Sequence, residues 1–359
     1  MKNRNDEKRS SKKADGKERI LKIAILGPVF TGTYYGGVAT FDENLAYAFC
    51  RLGHEAVLFT DQKDAPSVTP RGILVRRARE CRKWNCDLAI ASLFCARYIP
   101  VIPAKKKIFF LHGFYNMAEH GMVKTFAALL FEKFIGKKSD LVIANSAFTR
   151  FINQEAFHLS SDADVRLGVS CEFLESLRRA DQEAVERDPG SLLYVGRLAE
   201  AKCVDQILRA MIVLKKAGGS YHLTIVGDGP DSERLERFSR KHGLAVTFAG
   251  RKEQEEIVGY YRKSRVFISM NPSEPFGITF CEALLSGCGI VCPKTGGQTE
   301  FLAEYPERVR MADGKNPEET AAAIRALSSR DQPPFPDRGA FSYENTARAI
   351  LCAAGGGRE

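Results

Sequence analysis

Two glutamates, Glu274 and Glu282, stand eight positions apart in the stretch SEPFGITFCEALLSGCGIVCPKTGGQTE, residues 273–300, with Phe276-Gly277-Ile278 between them. A glycine at the head of an apolar helical run lets backbone N–H groups approach a ligand. The unpaired donors and the dipole of a helix N-terminus then favour an anion. Were the intervening residues all helical, the two carboxylates would be separated by a rise of about 12 Å. Carboxylate pairs that hydrolyse a glycosidic bond sit at roughly 5–5.5 Å in retaining enzymes and 6.5–9.5 Å in inverting ones. A wider pair suits the two ends of an extended ligand. Two glutamates alone are equally compatible with solvated charges at a helix end, so the residues around them decide.

A second group is cationic. In SLLYVGRLAEAKCVDQILRA, residues 191–210, Arg197 and Lys202 lie on a loop between an apolar strand and a helix. Two fixed cations there could neutralise a diphosphate and the charge it gains as a leaving group. Gly36 and Gly37 open another helix, whose N–H groups could approach the same phosphates. His112 follows the apolar strand KIFFLHG, and a lone histidine in such a place is more often structural than catalytic. VGDGP, residues 226–230, holds a Gly-x-Gly that reads as a simple turn, and FAGRK, residues 248–252, ends a further strand. Asp162-Ala163-Asp164, read as lying just before a strand near the linker, offers a possible pair of metal ligands, but Arg197 and Lys202 already supply the positive charge, so no metal is expected.

The elements that position these residues alternate between apolar strands and helical stretches, the pattern of an α/β protein with parallel sheets. A first array begins with LKIAILG at Leu21, followed by a Gly-rich loop and a helix to about Leu52. EAVLFT, ILVRRA, DLAIASL, KIFFLHG and LVIANS are its further strands, and Ser146 is placed to cap the helix after the last. DQEAVERDPG, residues 181–190, is polar and ends in Pro-Gly, which marks a linker. SLLYVGRL, YHLTIVG, AVTFAG, RVFISMN and GIVCPK then form a second array. DQPPFPDRG is a second hinge-like segment, and a last helix runs from about Tyr343 to Ala354. Ligands of such sheets bind outside the carboxyl ends of the strands, which is where the motifs above fall.

Composition narrows the partners. A chain of 359 residues, 44% hydrophobic and 27% charged, fits two soluble domains. No apolar run reaches the roughly 18–20 residues that span a bilayer. The first twenty residues carry eight Lys or Arg and four acidic residues, a basic tail without a secretory signal. The ten cysteines show no zinc spacing and read as reduced apolar residues, which suits a cytoplasmic protein. The net charge of +9 admits phosphorylated ligands or an anionic membrane. Nucleic acid is not expected, because no recognition module is visible. MAEHGMVKTFAALLFEKFIGKK, residues 117–138, sets Phe126, Leu129, Leu130, Phe134 and Ile135 beside four lysines. That pattern fits an interfacial amphipathic helix, or a helix facing the core with a lysine face in water, which is the commoner arrangement.

The glutamate motif, the Arg/Lys loop and the paired glycines together resemble retaining glycosyltransferase family 4, whose members have the GT-B fold. The resemblance covers about residues 22–354 and is most specific in the second half. It implies two Rossmann-like domains facing across a cleft: a tail 1–20, an acceptor-side domain 21–180, a linker 181–190, a nucleotide-sugar domain 191–332, and a segment 333–359 whose helix returns to the first domain. It implies transfer of a sugar from a nucleotide-diphosphate sugar to a hydroxyl of a glycan or lipid-linked acceptor, with retention and with no cofactor. Glu274 would hold sugar hydroxyls, Glu282 the ribose, Arg197 and Lys202 the diphosphate, and His112 would line the sugar pocket. Gly36, Gly37, Phe276, Gly277 and Ile278 would contact the donor, and Gly250 and Arg251 its base. A nucleotide-sugar epimerase and a weakly active binding subunit of a partner enzyme are the alternatives. Three positions depart from the family pattern: Cys203 replaces a usual glycine, Gly289 a common proline, and LGVSC, residues 167–171, the usual Asn-Gly-Val-Asp.

Overall fold

The computed structural model describes residues 19–31, 36–115, 121–182, 185–329 and 337–355. Most of the basic tail, part of the Gly-rich loop, the start of the 117–138 stretch and most of the hinge-like segment near Pro333 lie outside the described residues.

Two parallel sheets are built as the apolar runs require. The first holds β1 (Lys22–Leu26), β2 (Glu55–Thr60), β3 (Leu74–Arg77), β4 (Cys86–Ser92), β5 (Ala104–Leu111), β6 (Leu141–Ala144) and β7 (Ala163–Asp164), in the order β3-β2-β1-β4-β5-β6-β7. Its helices are α1 (Gly37–Arg51), α2 (Met122–Gly136), α3 (Ala147–Phe157) and α4 (Cys171–Ala180). The second sheet holds β8 (Ser191–Val195), β9 (His222–Val226), β10 (Val246–Gly250), β11 (Val266–Ile268), β12 (Gly289–Pro293) and β13 (Val309–Ala312), in the order β10-β9-β8-β11-β12-β13. Around it lie α5 (Val204–Lys216), α6 (Ser232–Lys241), α7 (Gln254–Lys263), α8 (Ile278–Leu285), α9 (Gln298–Leu302) and α10 (Pro317–Ser328). The chain order reverses beside β1 and β8, so each sheet has a switch point, between β1 and β4 and between β8 and β11.

Central strands covered on both faces are apolar at successive positions, and Ile23, Ala24, Ile25 and Leu26 of β1 are all fully buried. Helix α1 ends where Gly53 takes a φ of +86° and the N–H of His54 reaches back to Phe49 O at 3.0 Å, a turn that an L side chain would strain. Ser146 caps α3 as expected, its Oγ accepting from Thr149 N at 2.9 Å. The terminal helix α11 (Tyr343–Ala353) returns to α1, with the Phe41 and Tyr343 rings 6.2 Å apart and Arg51 paired with Glu344. The LGVSC segment meets this return: Val169 N donates to Phe341 O at 2.8 Å, and Val169 bridges Ser342. One apolar cluster, through Phe173, Tyr261, Phe341 and Tyr343, joins the inner sides of both sheets.

Four expectations need correction. Helix α2 does not turn its apolar face to the core: Ile135 is buried, but Met122, Val123, Phe126, Leu130 and Phe134 are exposed. The helical period was right and the partner for that face was not. Asp162-Ala163-Asp164 does not precede a strand, because Ala163 and Asp164 form the edge strand β7. Val309–Ala312, too short and charged to read as a strand, pairs along β12. Lastly, the segment between Glu274 and Glu282 is helical only from Ile278, so the full helical rise between the carboxylates does not apply.

Candidate active site

The ends of β5 and β6 in the first sheet face the ends of β8 and β11 in the second. Between them lies a cavity of about 340 Å³, walled by Gly37, Phe41, His112 and Asn145 on one side and by Arg197, Lys202, Glu274, Phe276, Gly277 and Ile278 on the other. Eight expected site residues therefore meet at one place from four separate stretches of chain.

Glu274 sits at the centre of a polar cluster. Its Oε2 accepts from Lys202 Nζ at 2.7 Å and from Asn271 Nδ2 at 2.9 Å. Arg197 is exposed at the mouth, and its loop is pinned by Tyr194 OH, which donates to Arg197 O at 3.1 Å. Gly277 takes a φ of +93° and opens α8, and Gly277, Ile278 and Thr279 at this helix N-terminus line the cavity with the two cations. The chemistry available is binding of a diphosphate by two cations and a helix end, beside a carboxylate that accepts from hydroxyls.

The loop that carries Glu274 is also the joint between the two domains. Pro275 O accepts from Ser146 Oγ at 2.6 Å and from Thr149 Oγ1 at 3.3 Å. Glu300 accepts from Ala147 N at 3.1 Å and Phe148 N at 2.6 Å, so one domain's carboxylate covers the N-terminus of α3 in the other. Gly297 makes the close approach possible, because a Cβ there would stand 2.0 Å from Pro275 O.

Four expected residues lie off the cavity wall. Glu282 is one turn inside α8, on the same helix face as Ile278, and accepts from Tyr261 OH at 2.9 Å. Burial pushes its carboxyl up to about 7. Gly36 precedes α1 as its N-cap in extended geometry. Gly250 and Arg251 close β10, the edge strand, and Gly250 O accepts from Gly227 N at 2.9 Å. Asp162 and Asp164 are engaged elsewhere: Asp162 accepts from Val142 N at 2.7 Å, and Asp164 pairs with Arg150 at 3.4 Å.

Several site residues were not anticipated. Asn271 holds Glu274, and Asn145 donates to His112 O at 2.8 Å. His112 packs between Phe41 and Phe110, at ring separations of 4.7 and 4.9 Å, and burial lowers its imidazole to about 3, so it is neutral. Its Nε2 is 2.8 Å from Ser92 Oγ, which is in turn 3.2 Å from Asp42 Oδ1. Asp42 was visible in principle. It occupies the apolar face of α1 with Leu45, Ala46 and Phe49, where a charge breaks the helical pattern.

Residues 178–345 match the family described as glycosyl transferases group 1. A GDP-mannose-dependent alpha-(1-6)-phosphatidylinositol dimannoside mannosyltransferase of Mycobacterium tuberculosis is 29% identical over 197 residues, which are 54% of this chain and 50% of that one. The chain thus spans about half the length of that relative. An alpha-monoglucosyldiacylglycerol synthase of Acholeplasma laidlawii is 24% identical over 304 residues, 71% of this chain and 76% of that one. Among solved structures, a glycosyltransferase from Rickettsia africae superposes with a TM-score of 0.66 at 17% identity, covering 92% of this chain and 97% of the other. The fold is GT-B.

Proposed function

We propose, from the match of residues 178–345 to the glycosyl transferases group 1, that this protein moves a sugar from a nucleotide-diphosphate sugar to an acceptor hydroxyl, with retention of the anomeric configuration. The observation that carries the reading is the convergence of Arg197, Lys202, Glu274 and the N-terminus of α8 on one cavity that His112 closes from the other domain. Arg197 and Lys202 hold the diphosphate and stabilise its charge as the bond from sugar C1 to the phosphate oxygen breaks. The acceptor oxygen forms its bond to C1 from the same face. Its proton passes to the departing phosphate oxygen, since among the described residues no side chain is placed as a covalent nucleophile. Glu274 accepts from the sugar hydroxyls, and Glu282, deeper on α8, takes the ribose. Side chains and helix ends supply the charge neutralisation, so no cofactor or metal is required.

The acceptor is a glycan or glycolipid, and we place it at an anionic membrane surface. Helix α2 supports this, since it presents Met122, Val123, Phe126, Leu130 and Phe134 to solvent alongside Lys124, Lys137 and Lys138, with Phe94 exposed nearby. Full burial of a side chain of this size is worth about 1.5–3 kcal/mol, and several together with lysines are enough to hold a protein at an interface. Among the described residues, no helix is long and apolar enough to cross a membrane. The names of both relatives above contain a glycolipid, phosphatidylinositol dimannoside in one and monoglucosyldiacylglycerol in the other.

The test has two arms. A thermal-shift panel of UDP, GDP, ADP and their sugars selects the donor, with a rise of about 2.7 kcal/mol expected at a hundredfold excess over the dissociation constant. The product's anomeric configuration is then read by NMR. An inverted product, or an epimerised sugar formed without acceptor, refutes the reading. Co-sedimentation with anionic but not zwitterionic vesicles, lost in a Phe126→Ser/Leu130→Ser variant, tests the surface.

A further inference from the structure

The side chains of Asp42, Ser92 and His112 form a line from the buried face of α1, across the end of β4, to the cavity. The Ser92 hydroxyl is within hydrogen-bonding distance of both neighbours, 3.2 Å from Asp42 Oδ1 and 2.8 Å from His112 Nε2. Asp42 and Ser92 are both fully buried. Asp42 Oδ2 meets no hydrogen-bond partner, and a Cβ on Gly27 would stand 1.9 Å from it, so the backbone of β1 closes that side.

A fully buried carboxylate with no cation bonded to it is costly, so the acid is held neutral. Burial indeed lifts Asp42 well above the usual carboxylate range. A neutral acid must place its proton. On Oδ2 it would be a buried donor with no acceptor, whereas on Oδ1 it meets the Ser92 oxygen. Ser92 has one hydroxyl proton. If its oxygen accepts from Asp42, that proton is directed to the remaining neighbour, His112 Nε2. The imidazole is neutral, so its single proton then resides on Nδ1.

We propose that Asp42 and Ser92 are positioning residues that fix the tautomer of His112, which lines the cavity, holding it as the Nδ1–H form with a hydrogen-bond donor at the nitrogen that Ser92 does not engage. A donor there fits an oxygen of the bound sugar or diphosphate and not a second hydroxyl proton. This inference rests on the proposed placing of the donor beside His112. The tautomer itself is readable without any ligand.

The experiment is imidazole nitrogen NMR on the full chain labelled at histidine, with the His112 signals assigned by a His112→Gln variant. The expected result is a protonated Nδ1 and a bare Nε2 in the wild type. Ser92→Ala removes the donor to Nε2 and should shift His112 towards the Nε2–H tautomer that free imidazoles favour. Asp42→Asn can donate from its amide as the neutral acid does, so it should retain the Nδ1–H form. A wild-type His112 protonated at Nε2 overturns the proposal without reference to any variant. So does a Ser92→Ala protein that melts cooperatively but keeps the wild-type tautomer, or an Asp42→Asn protein that loses it. In a donor assay, Ser92→Ala should lower kcat roughly five- to tenfold with little change in KM, the loss of about one oriented hydrogen bond. Absence of turnover with every nucleotide sugar would refute the proposed function and leave the tautomer result to stand or fall by itself.

Discussion

Replacing Lys202 by alanine separates a structural ion pair from a catalytic cation. In the structure Lys202 Nζ is 2.7 Å from Glu274 Oε2, with 33% and 20% of the two side chains exposed. A pair this open to water contributes about 0–1 kcal/mol to stability. Glu274 also keeps Asn271 as a donor when the lysine is gone. Lys202→Ala should therefore lower Tm by no more than about 2–4 °C. Its effect on turnover should be far larger. Charge develops on the leaving diphosphate only as the sugar bond breaks, and one preorganised donor to such charge is worth about 2.7–4 kcal/mol, or a hundred- to a thousandfold in kcat. The assay pairs thermal melts with release of nucleoside diphosphate from the donor that the binding panel selects. Arg197→Ala should behave alike and cost still less stability, because among the described residues Arg197 makes no ion pair. Wild-type turnover in either variant would remove the cationic clamp from the mechanism. A Lys202→Ala protein that loses turnover only because it melts at assay temperature would show that the ion pair, and not the diphosphate, is what Lys202 serves.

Further outcomes follow from individual residues. The Glu282 carboxyl, raised to about 7 from an unfolded value near 4.5, contributes stability that is present below pH 4.5 and lost as pH rises through 7. Glu282→Gln should flatten that fall in melts taken from pH 5 to 8, and an unchanged profile would contradict the burial. If a ribose hydroxyl pair donates to the ionised form, nucleoside-diphosphate binding to the wild type should tighten from pH 6 to 8 and release protons, measured by calorimetry in buffers of different ionisation enthalpy. Cys203 takes a φ of +54° where the family usually has glycine, so Cys203→Gly should gain about 0.5–1 kcal/mol by relieving a left-handed side chain, read as a raised denaturant midpoint. Chelation with EDTA should leave donor turnover unchanged, and a loss restored by Mn²⁺ would return Asp162 and Asp164 to consideration.

The parts of the molecule that obey a local rule were legible. Buried parallel strands carry continuous apolar runs, so β1, β4, β5, β8, β9 and β12 announce themselves, whereas β13, VRMA, has a charge and four residues and is a strand only because β12 offers an open edge. The meeting of Arg197, Lys202 and Glu274 could be anticipated because each follows a strand end. The direct contact of Lys202 with Glu274 could not, since it depends on how the loop after β11 folds back across 72 residues of sequence. Helix α2 shows the limit of periodicity most plainly. Its pattern specifies a helix with one apolar face, and nothing local states whether that face meets a core or a solvent boundary.

The joint between the domains was the least legible feature, and it bears on the chemistry. Ser146 was read as a helix cap, and it is one, but the same Oγ that accepts from Thr149 N also donates to Pro275 O. The residue next to Glu274 is thereby tied to the N-terminus of a helix in the other domain, and Glu300 closes over that N-terminus from the second side. Sequence reasoning assigns each of these groups a local partner and stops there. A hydroxyl accepts through its lone pairs and donates its single proton independently, so a cap that satisfies one helix still has a proton to place. Here that proton fixes the loop bearing the central carboxylate relative to His112, so the geometry of the cavity depends on domain closure as much as on either domain's own fold.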